Sequence, residues 1–177
     1  VRLSGKAAGL NVGFLNMQTE DHEDLHANNF SVGRLSREFR NRSRAGLMVL
    51  SRQGTGSQAP DDDHNRTFAL DGQLGIGQYT NLSGWAAKTE TPDLVGRDRA
   101  FGLDSNYGSP SWTWRAGYSE VGAEFNPEVG FVNRSNYRRV NGRVGRRFRP
   151  SGTGRIKEIG PRLFYDSYWD FEGFREY

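Results

Sequence analysis

Apolar and polar residues alternate along this chain far more often than they recur at helical spacing. Strict alternation is the mark of a strand with one apolar and one polar face. Within residues 66–77, Phe68, Leu70, Leu74 and Ile76 share one face, and Thr67, Asp71 and Gln73 share the other. Within 111–121, Trp112, Trp114, Ala116 and Tyr118 oppose Ser111, Thr113, Arg115 and Ser119. Within 136–149, Val140, Gly142, Val144 and Phe148 oppose Tyr137, Arg139, Asn141, Arg143 and Arg147. The same reading predicts about ten strands, near residues 1–8, 11–19, 29–38, 44–53, 66–76, 79–89, 99–107, 111–121, 135–149 and 154–167, with ends loose by ~2–4 residues.

The connections carry the stronger signal. Tight ones are predicted at residues 8–10, 40–43, 77–78, 108–110 and 150–154, and longer polar ones at 20–28, 54–65, 90–98 and 122–134. Short and long therefore alternate along the chain. A soluble sandwich has no reason to gather its long loops at one end. An up-and-down transmembrane β-barrel does, because its periplasmic turns are short, its external loops longer and its strands apolar toward lipid and polar toward the lumen. The fold expected is all-β, an antiparallel barrel segment forming a single domain over 1–177. Since the first and last connections are both short, both ends fall on the external side. This predicts an incomplete part of a larger barrel, with an odd number of strands before Val1, more barrel after Tyr177 and open sheet edges.

Composition agrees with a half-polar sheet. Only 34% of the 177 residues are hydrophobic and mean hydropathy is -0.78, low for a packed water-soluble core, whereas a barrel needs an apolar residue only at alternate positions. Aromatic content of 12% with 6 Pro argues against disorder. The formal charge of +3 is too small to carry a nucleic-acid argument, but Lys occurs only at Lys6, Lys88 and Lys157, so 21 of the 24 basic residues are Arg. Arg is the cation suited to fixed, multiply hydrogen-bonded pairs. Cysteine is absent, which removes disulfides and thiolate metal sites. No run approaches the roughly 18 apolar residues of a membrane helix. Tyr107, Trp112 and Trp114 flank one short turn, as an interfacial aromatic girdle would. Arg138 and Arg146 interrupt the apolar face eight residues apart, far enough for each to snorkel to an opposite interface.

Particular stretches point to a family. The runs KAAGLNVGFLNMQTE (6–20) and NFSVGR (29–34), and above all FNPEVGFV (125–132) followed by Asn136, Tyr137, Arg138 and Arg139, resemble a bacterial family. Its members join an N-terminal carbohydrate-binding domain, similar to family nine of the carbohydrate-binding modules, to a large C-terminal outer-membrane β-barrel. The resemblance covers nearly the whole chain and lies within the barrel part. It implies localisation in the outer membrane of a Gram-negative bacterium, lipid as a partner and glycan recognition through a domain absent here.

Candidate chemistry lies in four places. A polar inward set of Asp71, Gln73, Asp104, Asn106, Arg115, Arg139, Asn141, Arg143, Arg147, Glu158 and Arg162 is either a pore lining that selects a solute or a lumen cross-braced by Arg–carboxylate pairs. Phe125, Asn126, Pro127, Glu128, Val129, Gly130 and Phe131, with Val132, are too apolar for a free external loop, and are expected to fold onto the wall or into its mouth as packing or a gate. Asp21, His22, Glu23, Asp24 and His26, and separately Asp61, Asp62 and Asp63 beside His64, carry donors for a divalent cation, but without EF-hand spacing a solvated loop is the stronger explanation. Residues 137–149 mix Arg with aromatics, yet acids are as frequent in the other strands, so no nucleic-acid partner is expected. Pro161 falls inside a predicted strand, where its missing N–H costs a ladder bond. No P-loop, HExxH or GxSxG pattern occurs. The expectation is a non-catalytic, cofactor-free barrel segment for glycan-linked uptake or surface binding. The alternative is a soluble β-rich carbohydrate-binding or hydrolytic domain working through its acidic loops.

Overall fold

A computed structural model describes residues 1–22, 25–57, 59–150 and 157–175. Ten antiparallel strands form one sheet in sequence order: β1 (Arg2–Ala7), β2 (Leu10–Gln18), β3 (Asn28–Phe39), β4 (Ser43–Gly54), β5 (His64–Ile76), β6 (Thr80–Glu90), β7 (Arg99–Gly108), β8 (Trp112–Val121), β9 (Tyr137–Arg146) and β10 (Arg162–Trp169). No described residue is helical, and no ladder joins β1 to β10, so the sheet stays open. The first hairpin turns on Ala8 and Gly9, both at positive φ (50° and 76°), the backbone twist that two-residue hairpins require.

One expectation needs correcting. Among the described residues the ladder of the last hairpin stops at Arg146 on β9 and resumes at Arg162 on β10, short of the strands predicted over 135–149 and 154–167; the tight turn predicted at 150–154 lies, but for Pro150, outside the described residues. Phe148 still bridges Ile159 in the register of the β9–β10 ladder, so the hairpin continues past an interruption. Pro161 causes it: the residue has no N–H to give, and it sits just before the first residue of β10, where only its carbonyl is used, by the Arg146 N–H at 3.1 Å. Arg147 and Glu158 consequently belong to the connection rather than to strands.

The ladders run without a bulge, so each face can be followed across the sheet. Phe68, Leu70, Leu74, Ile76, Trp112, Trp114 and Val144 are all exposed, Leu70 by 63%. They lie on one face with Leu3, Phe14, Leu35, Leu47, Leu82, Leu103, Val140 and Leu163. Along every strand this face has a charge-free stretch, and polar or charged residues close it toward the long loops: Asn16, Ser31, Ser51, Arg66, Lys88, Arg99, Glu120 and Arg138 on β2 to β9. Toward the short turns around β7 to β9 it ends in aromatics. Tyr107 stacks on Trp114 at 6.0 Å, Tyr79 meets Tyr107 edge-on, and Arg146 lies over Trp112 and Phe148. The charge-free band runs oblique to the hydrogen-bond rows. The row through Leu3, Phe14, Val49 and Phe68 goes on to Lys88 and Arg99, which is the offset that tilted strands impose.

Burial is confined almost wholly to the other face and to its long-loop end, where Leu50, Asn65, Thr67, Thr89, Ala100 and Val121 are covered.

Candidate functional site

The polar face is covered at that end by residues 122–136, the connection between β8 and β9, which fold inward over the strands. Phe125, only 8% exposed, packs on Ala100 and Val121, with Ala87, Val132 and Tyr137 around it. The anchor is polar. Asn65, on β5 and 1% exposed, donates from Nδ2 to the Asn126 carbonyl at 2.7 Å and accepts from the Glu128 N–H at 3.2 Å. Thr89 on β6 accepts from the Asn126 N–H at 3.2 Å. The Glu128 side chain is held by Arg52 on β4. One buried side chain thus satisfies two backbone groups of the loop, which would otherwise be stranded away from water. Val129 is half-buried and Asn126 and Gly130 are exposed, while Phe131 points outward with 88% exposure. Of the expected apolar loop, then, Phe125 and Val132 join the wall and Phe131 does not.

Arg52 also ties down a second loop. Its guanidinium donates to both carboxylate oxygens of Asp63, at 2.9 and 2.5 Å, and His26 Nε2 lies 2.8 Å from the same carboxylate. The Arg52 hydrogen bond, seconded by His26, outweighs burial and holds the Asp63 carboxyl down to about 2. Asp21 accepts the Ala27 N–H at 2.6 Å, and His64 Nδ1 meets Asp62 at 3.0 Å. His22 pairs through its backbone with Leu25, and Asp61 is exposed. Glu23 and Asp24 lie outside the described residues. Among the described residues no three His, Asp or Glu side chains come together as a cation would need.

Between the inward loop and the wall lies an open cleft of about 740 Å³, bordered by Met48, Ala69, Trp85, Phe131, Tyr137 and Tyr168. Trp85 lies flat on the wall because Gly102 is its cross-strand partner: a Cβ there would sit 2.6 Å from the indole Nε1. The ring keeps 41% exposure. Gly46 plays a similar part for the Arg34–Asp71 pair, which closes at 2.6 Å across β4 directly over it.

Other members of the inward set are sorted by the register. Asp104 accepts from Arg115 at 2.7 Å on the adjacent strand, and Asp166 pairs with Arg139 at 2.5 Å. Gln73 donates to the Arg42 carbonyl, and Asn141 sits over Gly117 beside Asp104. Glu158 accepts from Arg147 and Arg149 in the β9–β10 connection. Asn106, Arg115, Arg143, Arg147 and Arg162 line a second hollow of about 440 Å³ near the short turns. Sequence reasoning missed Arg34, Asp166, Asn65, Thr89, Arg52 and Trp85. Their position on the polar face is periodic and readable. Their partners are not, since those depend on register and on where a loop lands.

No family model, no curated protein and no solved structure matches the chain.

Proposed function

We propose that this sheet is a section of an outer-membrane β-barrel wall, its apolar face toward lipid and its polar face toward a water-filled lumen, serving glycan-linked uptake or surface binding without catalysis in this chain. One observation carries the reading: the charge-free band on the exposed face of all ten strands, oblique to the hydrogen-bond rows, closed by polar or charged residues toward the long loops and, over β7 to β9, by aromatics toward the short turns. Water offers no reason to leave so much apolar surface exposed in one strip. The eight-position separation of Arg138 and Arg146 spans roughly 26 Å at ~3.3 Å per residue, or about 20 Å after a strand tilt of ~40°, close to the ~25 Å apolar band of such barrels. The buried anchor of the 122–136 loop supports an element standing in the lumen. An exposed indole beside Arg–Asp pairs supplies a stacking face and fixed hydrogen-bonding groups of the kind a sugar ring uses. The glycan part of the proposal rests on these groups and on the family resemblance.

The test is partition. Refolded in the presence of phosphatidylcholine vesicles, the chain is expected to float with the lipid and to resist alkaline carbonate extraction. A chain that stays monomeric and folded in buffer without detergent overturns the membrane reading.

A further inference from the structure

The arginines of the polar face divide into two groups. Arg34, Arg115 and Arg139 each have an aspartate within 2.7 Å on a nearby strand. The side chains of Arg2, Arg44, Arg143 and Arg162 have neither an ion pair nor a hydrogen bond among the described residues, and all four are exposed. Of these, only Arg143 and Arg162 lie together, beside Arg115. Arg143 is the direct cross-strand partner of Arg115, and Arg162, opposite Gly145, lies one inward position away on the neighbouring strand. Like charges placed directly opposite on one face destabilise a sheet. Here the sheet tolerates such a pair, with Asp104 on only one member, and adds a third guanidinium beside it. Arg147 completes the lining, its charge met by Glu158. The hollow they border holds about 440 Å³, the size of a small-molecule site, and Asn106 and Thr113 add neutral hydrogen-bonding groups.

From this we infer that Arg115, Arg143 and Arg162 form a binding site for a small solute bearing a carboxylate or phosphate group, such as an acidic or phosphorylated sugar. The planar fork of a guanidinium matches either anion in a two-point contact, and an anion seated between Arg115 and Arg143 removes the repulsion that the register otherwise builds in. The site lies on the face read above as the lumen. It would give the passage a preference for anionic cargo, and only that last step rests on the membrane reading.

The test is a titration of the full chain, refolded in a non-ionic detergent, with inorganic phosphate, glucuronate and glucose, followed by the arginine Nε–H resonances in NMR. Phosphate and glucuronate are expected to bind, more weakly as salt is raised, and glucose at the same concentrations is not. The tighter of the two anions identifies the class of the natural solute. The Arg143→Gln/Arg162→Gln variant should weaken phosphate binding at least tenfold, the Lys/Lys variant less, and Arg34→Gln, on a guanidinium already paired with Asp71, not at all. Glucose binding as well as phosphate, or unchanged phosphate affinity in the double Gln variant, overturns the site. Vesicle insertion of the same preparation separates the two readings. Arginine-dependent phosphate binding by a chain that does not enter vesicles keeps the site and removes the membrane reading. Insertion without phosphate binding removes the site alone.

Discussion

The two ends of the polar face use the same residue types differently. At the long-loop end, charge is neutralised and covered. Arg52 is shared between Asp63 and Glu128, Asn65 spends both ends of its amide on a loop, and Phe125 seals the space beneath. At the short-turn end the face is open, and Arg44, Arg143 and Arg162 have no carboxylate partner among the described residues, the last two side by side with Arg115. A guanidinium on a strand is therefore not by itself a sign of function. What separates bracing from binding is whether the register sets an anion or a second guanidinium beside it. The apolar face draws the same line in another way, since its charges are pushed to the margins while its middle carries none.

The largest expected effect breaks the contrast between the faces. Replacing Leu70 with Arg puts a charge in the middle of the apolar band and should cost roughly 2–4 kcal/mol in a bilayer. The same change at Thr113 on the polar face should cost far less. Both are measured by denaturant unfolding of the chain folded into vesicles, and equal penalties at the two positions would remove the assignment of faces.

The covered end can be opened at its anchor. Asn65→Ala strands the Asn126 carbonyl and the Glu128 N–H, and two part-buried unsatisfied groups, each in the lower half of the ~1–3 kcal/mol range, set an expected loss of about 2–4 kcal/mol. Hydrogen exchange should show the loss first at the Asn126 and Glu128 amides. Fast exchange across the whole sheet instead would mean that Asn65 supports the strands rather than the loop.

The pairing of strands was legible in the sequence because its signal is local. Phe68, Leu70, Leu74 and Ile76 reveal β5 within one stretch, and the alternation of short and long connections orders the sheet. The β9–β10 hairpin was harder, because alternation continues through Phe148 while the missing N–H of Pro161 cuts the ladder. The sites were less legible. Arg34 and Asp71 meet across an intervening strand only because Gly46 leaves room. Asn65, the last residue of a predicted connection, turns out to lie in β5 and looks like any polar residue until a loop about sixty residues later lands on it.

Acid should loosen the covered end. The Asp63 carboxyl titrates at about 2 in the folded chain against an ordinary 3.8. A depressed carboxyl contributes stability in full above its unfolded value and loses it as pH falls through its folded value. From pH ~5 down to ~2 the Asp63 contribution, about 2 kcal/mol at 1.36 kcal/mol per unit, should fade, releasing residues 55–63. In Asp63→Asn that part of the acid dependence should be gone while the neutral-pH fold remains. An unchanged acid profile would assign the loosening to other carboxylates.

The smallest effect sharpens the contrast between bracing and binding arginines. Asp104→Asn removes the only carboxylate paired with Arg115 among the described residues. If the Arg115–Asp104 pair were mainly a brace, the variant would lose stability and gain nothing. The pair is exposed, so its loss should cost no more than ~1 kcal/mol. Arg115 then joins Arg143 and Arg162 as a free donor. Removing one negative charge about 7 Å from a bound anion, in water-like surroundings, is worth ~0.6 kcal/mol, so phosphate should bind about threefold more tightly, provided Arg143 is intact. In the Arg143→Gln/Arg162→Gln background the same substitution should gain much less, because a single guanidinium has lost its opposing fork. A tightening that survives in that background would show a general field effect rather than a site built on the cross-strand pair.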